Sequence, residues 1–250
     1  LSDYDVFILS SVKISTMENN STLLPGTYIH IPKLLSPELL TQVLQLTGQL
    51  HFVDGKATAS GAAKEIKQNL QADKSSPILP QVQQLVLQAL GSHPLIQMGL
   101  MPKYVVPPMI SKYEPGMSYG WHTDSPIMMG DQAPLRVDAS MTLFLSDPGT
   151  YDGGELIIHT DSGYQTFKLP AGDAIIYPTT RLHAVMEVKQ GIRMAAVTWL
   201  QCAVKEAAKR ELLFQLKYVQ ESIAAQNLHS MENQLLMQVH SNLVRMWTEM

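Results

Sequence analysis

The sequence predicts an α+β fold, with a core of short antiparallel strands between helices that precede and follow it. Three observations carry that reading. Apolar residues recur at helical spacing up to about residue 100. From there to about residue 202 the chain becomes eight short segments rich in strand formers, parted by Gly, Pro, Asp and Ser. From Ala203 the helical period returns.

Residues 1–27 read as a tail. LSDYDVFILSSVKIS has a short apolar patch, but acidic residues stand where a signal peptide carries positive charge. The chain opens on Leu1, and Met17 is expected to be the natural start, with residues 1–16 upstream of it. In LSPELLTQVLQL, Ser36 can cap a helix, Pro37 suits its first position and Glu38 favours its N-terminus. Leu39, Val43 and Leu46 then share a face, which predicts a helix over about 37–49. HFVDGKAT breaks it. A polar helix is expected over about 60–71, followed by one in ILPQVQQLVLQALG with Leu79, Val82, Val86 and Leu90 on one face. Gly91 is placed to end it.

YVVPPMISKY, SYGWHTD, RVDASMTLFLS, GELIIHT, YQTFKLP, DAIIYP, HAVMEV and RMAAVTWLQ then follow with no helix between them, as in an antiparallel sandwich or barrel. Helices and strands together make a core unit over 28–202, with a helical extension over 203–250. In the extension Leu212, Leu216, Val219 and Ile223 form one stripe. A second helix, over 232–248, presents Leu236, Val239, Leu243 and Trp247. These stripes are expected to pack against the sheet, with a homodimer interface as the alternative.

Composition narrows the function classes. A 45% hydrophobic content supplies one sizeable core or two small ones. A net charge of −4 argues against nucleic acid as the main partner. No apolar run approaches the roughly 18–20 residues that span a bilayer, so no membrane partner is expected. Cys202 is the single cysteine, so no intramolecular disulfide forms, and a reducing, cytoplasmic setting is the default.

The tripeptide His-Thr-Asp occurs twice, and a histidine and an aspartate two residues apart can grip a metal together. With 8 histidines, a chance His-x-Asp somewhere in the chain has odds of about one in three, so one copy alone says little. Context separates the two. His159-Thr160-Asp161 runs into Asp-Ser-Gly between two alternating segments, the mark of a solvent-facing hairpin turn with Gly163 at positive φ. His122 and Asp124 instead occupy alternate positions of a predicted strand, on one face. His183, brought in from another strand, completes two imidazoles and one carboxylate. That facial set leaves coordination positions open and typifies non-haem Fe(II) oxygenases, whereas a structural zinc site would be closed, usually by cysteines. Arg193 begins RMAAVTWLQ, where alternation puts Arg193, Ala195, Val197 and Trp199 on one face. A fixed guanidinium in an apolar cavity suits a dicarboxylate. Tyr113 and Tyr119 flank the Gly116 turn, where a phenol could donate to the same molecule.

KYEPGMSYGWHTD, ASMTLFLSDPGTYDGGELII, KLPAGDAIIYPTTRLHAV and GIRMAAVTWLQ resemble Fe(II)- and 2-oxoglutarate-dependent dioxygenases of the prolyl-4-hydroxylase-like branch, and within it the bacterial PKHD-type hydroxylases. VDGKATA, KQNLQ, RELLFQL and NLVRMW have counterparts as well, so the resemblance covers about residues 28–250. It implies a double-stranded β-helix (jelly-roll) core, Fe(II) held by His122, Asp124 and His183, and 2-oxoglutarate bound by Arg193. O2 is the other cosubstrate, and L-ascorbate the cofactor that keeps iron reduced. The implied reaction hydroxylates a substrate and forms succinate and CO2; Asp124 favours hydroxylation, since related halogenases lose that carboxylate. Two departures stand out. Many relatives carry Ser two positions after the arginine; here that residue is Ala195, which leaves Tyr113 as the candidate second donor. SPIMMGDQAP, 125–134, also differs and is expected to be a mobile lid, so the substrate, a small molecule or a protein, does not carry over.

Two rival functions remain at this level. A non-catalytic iron and 2-oxoglutarate sensor would bind both without forming succinate. A zinc hydrolase would need neither oxygen nor Arg193.

Overall fold

The computed structural model describes residues 23–24, 28–58, 61–130 and 133–249; the expectations for Met17 and residues 1–16 lie outside them. Strands β1 (Leu23–Leu24) and β2 (Tyr28–Ile31) lead into helix α1 (Pro37–Thr47). Ser36 caps α1 as expected, its hydroxyl accepting the Leu39 N–H at 3.3 Å. After β3 (Phe52–Asp54), the polar helix expected over 60–71 does not form. Its place is taken by one 3-10 turn, Gly61–Lys64, and by β4 (Lys67–Gln68) and β5 (Leu70–Ala72). Lys67, Asn69 and Gln71 alternate inward and are 4%, 3% and 3% exposed. Pairing with strands further along the chain outweighs local helix propensity there.

Helix α2 (Leu79–Ser92) buries Leu79, Val82, Val86 and Leu90, as their spacing requires. Gly91 lies within its last turn rather than ending it. The break falls at His93, extended because Pro94 follows, and Pro94 opens a helix that was not foreseen, α3 (Pro94–Leu100). YVVPPMISKY divides into β6 (Pro102–Val105) and β7 (Met109–Tyr113), because the Pro107-Pro108 pair offers no N–H for a ladder. Then come β8 (Ser118–His122), β9 (Ile127–Met129), β10 (Pro134–Arg136), β11 (Ala139–Phe144), β12 (Tyr151–Gly153) and β13 (Leu156–Thr160). The remaining strands are β14 (Gly163–Phe167), β15 (Ala174–Pro178), β16 (His183–Val185), β17 (Val188–Gly191) and β18 (Arg193–Cys202). Much of the segment expected to be a lid is a hairpin: β9 pairs with β10, Met128 opposite Leu135. Its base is tied down, since Arg136 bonds both Asp138 and Glu249.

Two antiparallel sheets form the core. The larger runs β1-β2-β15-β11-β18-β7-β5-β3, with β6 also on β18; the smaller runs β14-β13-β16-β8-β4. Alternation sorts the larger sheet's side chains. Ile110, Met141, Leu143, Ile176 and Ala196 face outward into one apolar cluster with Val43 of α1 and Val82, Val86 and Leu90 of α2. Tyr113, Phe144, Ile175 and Tyr177 face inward and meet Leu156, Ile158, Phe167 and Val185 of the smaller sheet. The architecture is thus mixed, with antiparallel sheets and helices at both ends.

Helices α4 (Ala207–Gln226) and α5 (Met231–Trp247) lie against each other, and Phe214 of α4 approaches Gly99 of α3. The predicted stripe of α4 is corrected: Leu212 and Val219 are 54% and 48% exposed, while Leu213 is fully buried. The Arg210 guanidinium, donating to the Val204 and Lys205 carbonyls, ties the start of the helix to the core and sets that phase. In α5, Val239 is exposed as well. Among the described residues no helix is long and apolar enough to cross a membrane.

Candidate metal centre

His122 ends β8 and His183 begins β16, and the two strands pair with these residues opposite each other. The imidazole centroids are 4.3 Å apart. Asp124 is not on the strand, as its alternation with His122 had suggested; β8 ends at His122, and Asp124 lies two residues beyond. It reaches the same point because Ser140, on β11 of the facing sheet, donates to its Oδ2 at 2.6 Å. One ligand atom from each of His122, Asp124 and His183 lies within 4.8 Å of the others, and His183 Nε2 stands 3.7 Å from Asp124 Oδ2.

Both histidines use one local device. The Nδ1 of His122 contacts the Gly120 carbonyl at 2.7 Å, and that of His183 contacts the Arg181 carbonyl at 3.0 Å. A carbonyl can only accept, so each Nδ1 carries the hydrogen and each Nε2 lone pair is free for a metal. His122 also stacks on Tyr119, ring centroids 3.6 Å apart. Burial, reinforced by the neighbouring His183, pushes His122 down to about 4, so the imidazole is neutral near pH 7. Two imidazole nitrogens and one carboxylate converge, with no fourth histidine, cysteine or acid joining that cluster among the described residues. This donor set fits a divalent iron with coordination positions left open, and lacks the thiolates of a closed zinc site.

The second His-Thr-Asp copy is placed as its context predicted. Thr160 pairs with Gly163, leaving Asp161 and Ser162 as the turn between β13 and β14, and Gly163 has φ +108°. The Asp161 carboxylate, 86% exposed, pairs with Arg181 through two contacts of 2.7 and 3.1 Å. It holds a side chain rather than its own backbone.

Arg193 is 1% exposed and lies opposite Tyr113 in the β18–β7 ladder. Its guanidinium carbon sits 5.1 Å from the Tyr113 ring centre and 5.5 Å from that of Phe144. The arginines paired with carboxylates among the described residues are Arg136 and Arg181, and Arg193 Nε has no hydrogen-bond partner. Gly154, at φ +67°, makes room for it: a Cβ there would come within 3.0 Å of Arg193 Cδ. Burial pushes the Tyr113 phenol up, against the pull of the Arg193 charge, which keeps it a donor at neutral pH. Ala195 lies opposite Ser111 on β7, so a buried hydroxyl stands one strand away from the position where the serine is missing.

Several site residues were not found by sequence reasoning. Ser140 shows no local signal for its hold on Asp124. The inward row Lys67, Asn69 and Gln71 does: polar residues at period two in KQNLQ mark a strand with a polar inner face.

A family model described as the 2OG-Fe(II) oxygenase superfamily matches residues 108–201. The chain is 42% identical over 222 residues to a PKHD-type hydroxylase from Picosynechococcus sp., covering 89% of this chain and 100% of that one. It is 42% identical over 219 residues to a PKHD-type hydroxylase from Crocosphaera subtropica, covering 88% and 98%. A PKHD-type hydroxylase from Aliarcobacter butzleri is 37% identical over 225 residues, covering 89% and 99%.

Proposed function

Since the chain belongs to the PKHD-type hydroxylases of the 2OG-Fe(II) oxygenase superfamily, we propose that His122, Asp124 and His183 hold its iron and that Arg193, beside Tyr113, receives 2-oxoglutarate. The protein is an Fe(II)- and 2-oxoglutarate-dependent dioxygenase, a hydroxylase. Bound iron supplies the redox chemistry, in which 2-oxoglutarate and O2 yield succinate and CO2 while a C–H bond of the substrate is hydroxylated.

The convergence of the three ligand atoms carries the metal assignment. Ser140 fixes the Asp124 carboxylate, and the Gly120 and Arg181 carbonyls fix the two imidazoles, so the donors are aimed before metal arrives. Arg193 supports the cosubstrate assignment because it is a buried cation with no acid of its own. Its guanidinium can meet a terminal carboxylate through two parallel hydrogen bonds, with the Tyr113 hydroxyl as a further donor. Both ends of this site lie along the inward face of β11. Ser140 holds Asp124, and Phe144, four residues on, covers Arg193. Tyr113, Phe144 and Tyr177 are buried together on the inward face beside these residues.

The paired sheets are read as the double-stranded β-helix of this superfamily. L-ascorbate is expected to assist by keeping iron reduced. The single, buried Cys202 supports a reducing cytoplasmic setting. Anaerobic reconstitution with Fe(II), admission of air and assay for succinate test the reading. Succinate should form slowly with 2-oxoglutarate alone and faster with hydroxylatable molecules from lysate. Succinate formation that persists after thorough metal removal would overturn it.

A further inference from the structure

Lys67 is a buried lysine without an acid. It is 4% exposed, yet the lysines that meet a carboxylate among the described residues are Lys112, Lys209 and Lys217. Its ammonium donates to the Thr58 hydroxyl at 2.8 Å and stands 5.2 Å from the centre of the Tyr119 ring. The Thr58 hydroxyl lies 2.8 Å from Gln71 Oε1 and 3.0 Å from the Gly55 carbonyl, which share its single hydrogen, so it links the ammonium to the amide. Gln71 is 3% exposed, and its Nε2 has no partner. An ammonium has three hydrogens to donate, and one is used here. What remains is a small group of unspent donors around a positive charge.

Such a charge is costly to bury, and an apolar residue of similar size would give a more stable protein. Asp124 and Asp54 favour its charge from a distance, but neither pairs with it. The close partners of the Asp124 carboxylate are Ser140 and His183, and Lys67 is not within ion-pair distance. Burial pushes Lys67 down to about 8, with Asp124 and Asp54 pulling the other way, so it is still mostly charged near pH 7. Its position matters as much as its charge. Lys67 pairs with Tyr119 across β4 and β8, and Tyr119 stacks on His122, so one aromatic ring separates the ammonium from the metal ligands.

We infer that Lys67, with Gln71 Nε2 beside it, receives a carboxylate of the primary substrate, so that the molecule hydroxylated is an organic acid. A carboxylate has two oxygens, one for the ammonium and one for the amide N–H. The cosubstrate has its own cation in Arg193, on β18 of the larger sheet between Tyr113 and Phe144, whereas Lys67 is on β4 of the smaller sheet; Gln71, on β5, belongs to the larger sheet. The inference rests on the hydroxylase reading above and names the class of its substrate.

Equilibrium dialysis of benzoate and of its neutral counterpart benzamide tests it, on anaerobic protein loaded with Fe(II) and saturating 2-oxoglutarate. Wild type should prefer benzoate by roughly tenfold or more, the scale of one charge-assisted hydrogen bond. Lys67→Met should abolish the preference and Lys67→Arg should keep most of it. The affinity of Lys67→Met for 2-oxoglutarate, titrated into the Fe(II) protein alone, should stay within about threefold of wild type, because Arg193 carries that contact. Equal binding of the two probes by wild type, or a benzoate preference that survives in Lys67→Met, overturns the inference. A large loss of 2-oxoglutarate affinity in Lys67→Met overturns it too, and makes Lys67 a cosubstrate residue. Failure of the hydroxylase reading itself would show earlier, as wild type that binds neither iron nor 2-oxoglutarate.

Discussion

Arg193→Met should separate the cost of the buried guanidinium from its use. Arg193 is 1% exposed, its guanidinium between two aromatic rings and its Nε without a hydrogen-bond partner. Methionine fills much of the same space without a charge to desolvate, so the ligand-free variant should be at least as stable as wild type. Binding should suffer instead. Losing a charge-assisted, bidentate contact costs on the order of 1.5–3 kcal/mol, or roughly 10–150-fold in affinity for 2-oxoglutarate. A ligand at a hundred times its Kd stabilises a fold by about 2.7 kcal/mol. The same concentration offered to a variant weakened a hundredfold adds only about 0.4 kcal/mol. Urea melts of the Fe(II)-loaded proteins under nitrogen, with and without 2-oxoglutarate, measure both effects. An undiminished 2-oxoglutarate stabilisation would remove Arg193 from its role. A marked fall in ligand-free stability would refute the claim that its charge is unpaid.

Replacing both His122 and Asp124 by Ala should abolish tight Fe(II) binding and turnover while the fold survives. Replacing both His159 and Asp161 should leave iron stoichiometry near wild type, and the reverse pattern in metal analysis would invalidate the assignment. Ser140→Ala frees the Asp124 carboxylate and should weaken iron by roughly 10–100-fold, the usual effect of losing a partner of a ligand, as read by competition with a chelator; unchanged affinity would show that the 2.6 Å bond does no orienting. His122 is held near 4 in the fold against about 6.5 in an unfolded chain, so between those values the native state binds fewer protons. Stability of the metal-free protein that is present above about pH 6.5 should therefore be lost as pH falls toward 4, by at most on the order of 3 kcal/mol. His122→Phe should flatten that part of the profile, and an equally steep acid loss in the variant would assign it to other groups.

What the sequence reveals and what it hides divide along physical lines. Helix α1 is legible because Ser36, Pro37 and Glu38 state its start locally, and the turn at Asp161-Ser162-Gly163 is legible for the same reason. The relation of His122 to His183 and Arg193 comes from residue type and order along the chain together with the resemblance to Fe(II)- and 2-oxoglutarate-dependent dioxygenases. The helix expected over 60–71 fails because Lys67, Asn69 and Gln71 are specified by partners far along the chain, β7 and β8, and not by neighbours. In α4 the choice between the adjacent Leu212 and Leu213 is one of rotational phase. That phase depends on where Arg210 finds its carbonyls, which no periodicity records. Asp124 shows the limit most clearly. Its two-residue spacing from His122 pointed to the right residue for the wrong reason: it lies off the strand, and Ser140 of the facing sheet brings it in.

Each metal-facing histidine leans on the carbonyl two residues before it, and that has a consequence for protein design. Orientation of the ring is written within three consecutive residues, Gly120-Trp121-His122 in one strand and Arg181-Leu182-His183 in the other. A designer moving this centre to another pair of antiparallel strands could carry the aim of both imidazoles along as two tripeptides. The carboxylate could not travel that way. Its bearing is supplied by a serine from a different sheet, so a transplanted centre would inherit two of its three donors already pointed and would need the third to be built anew.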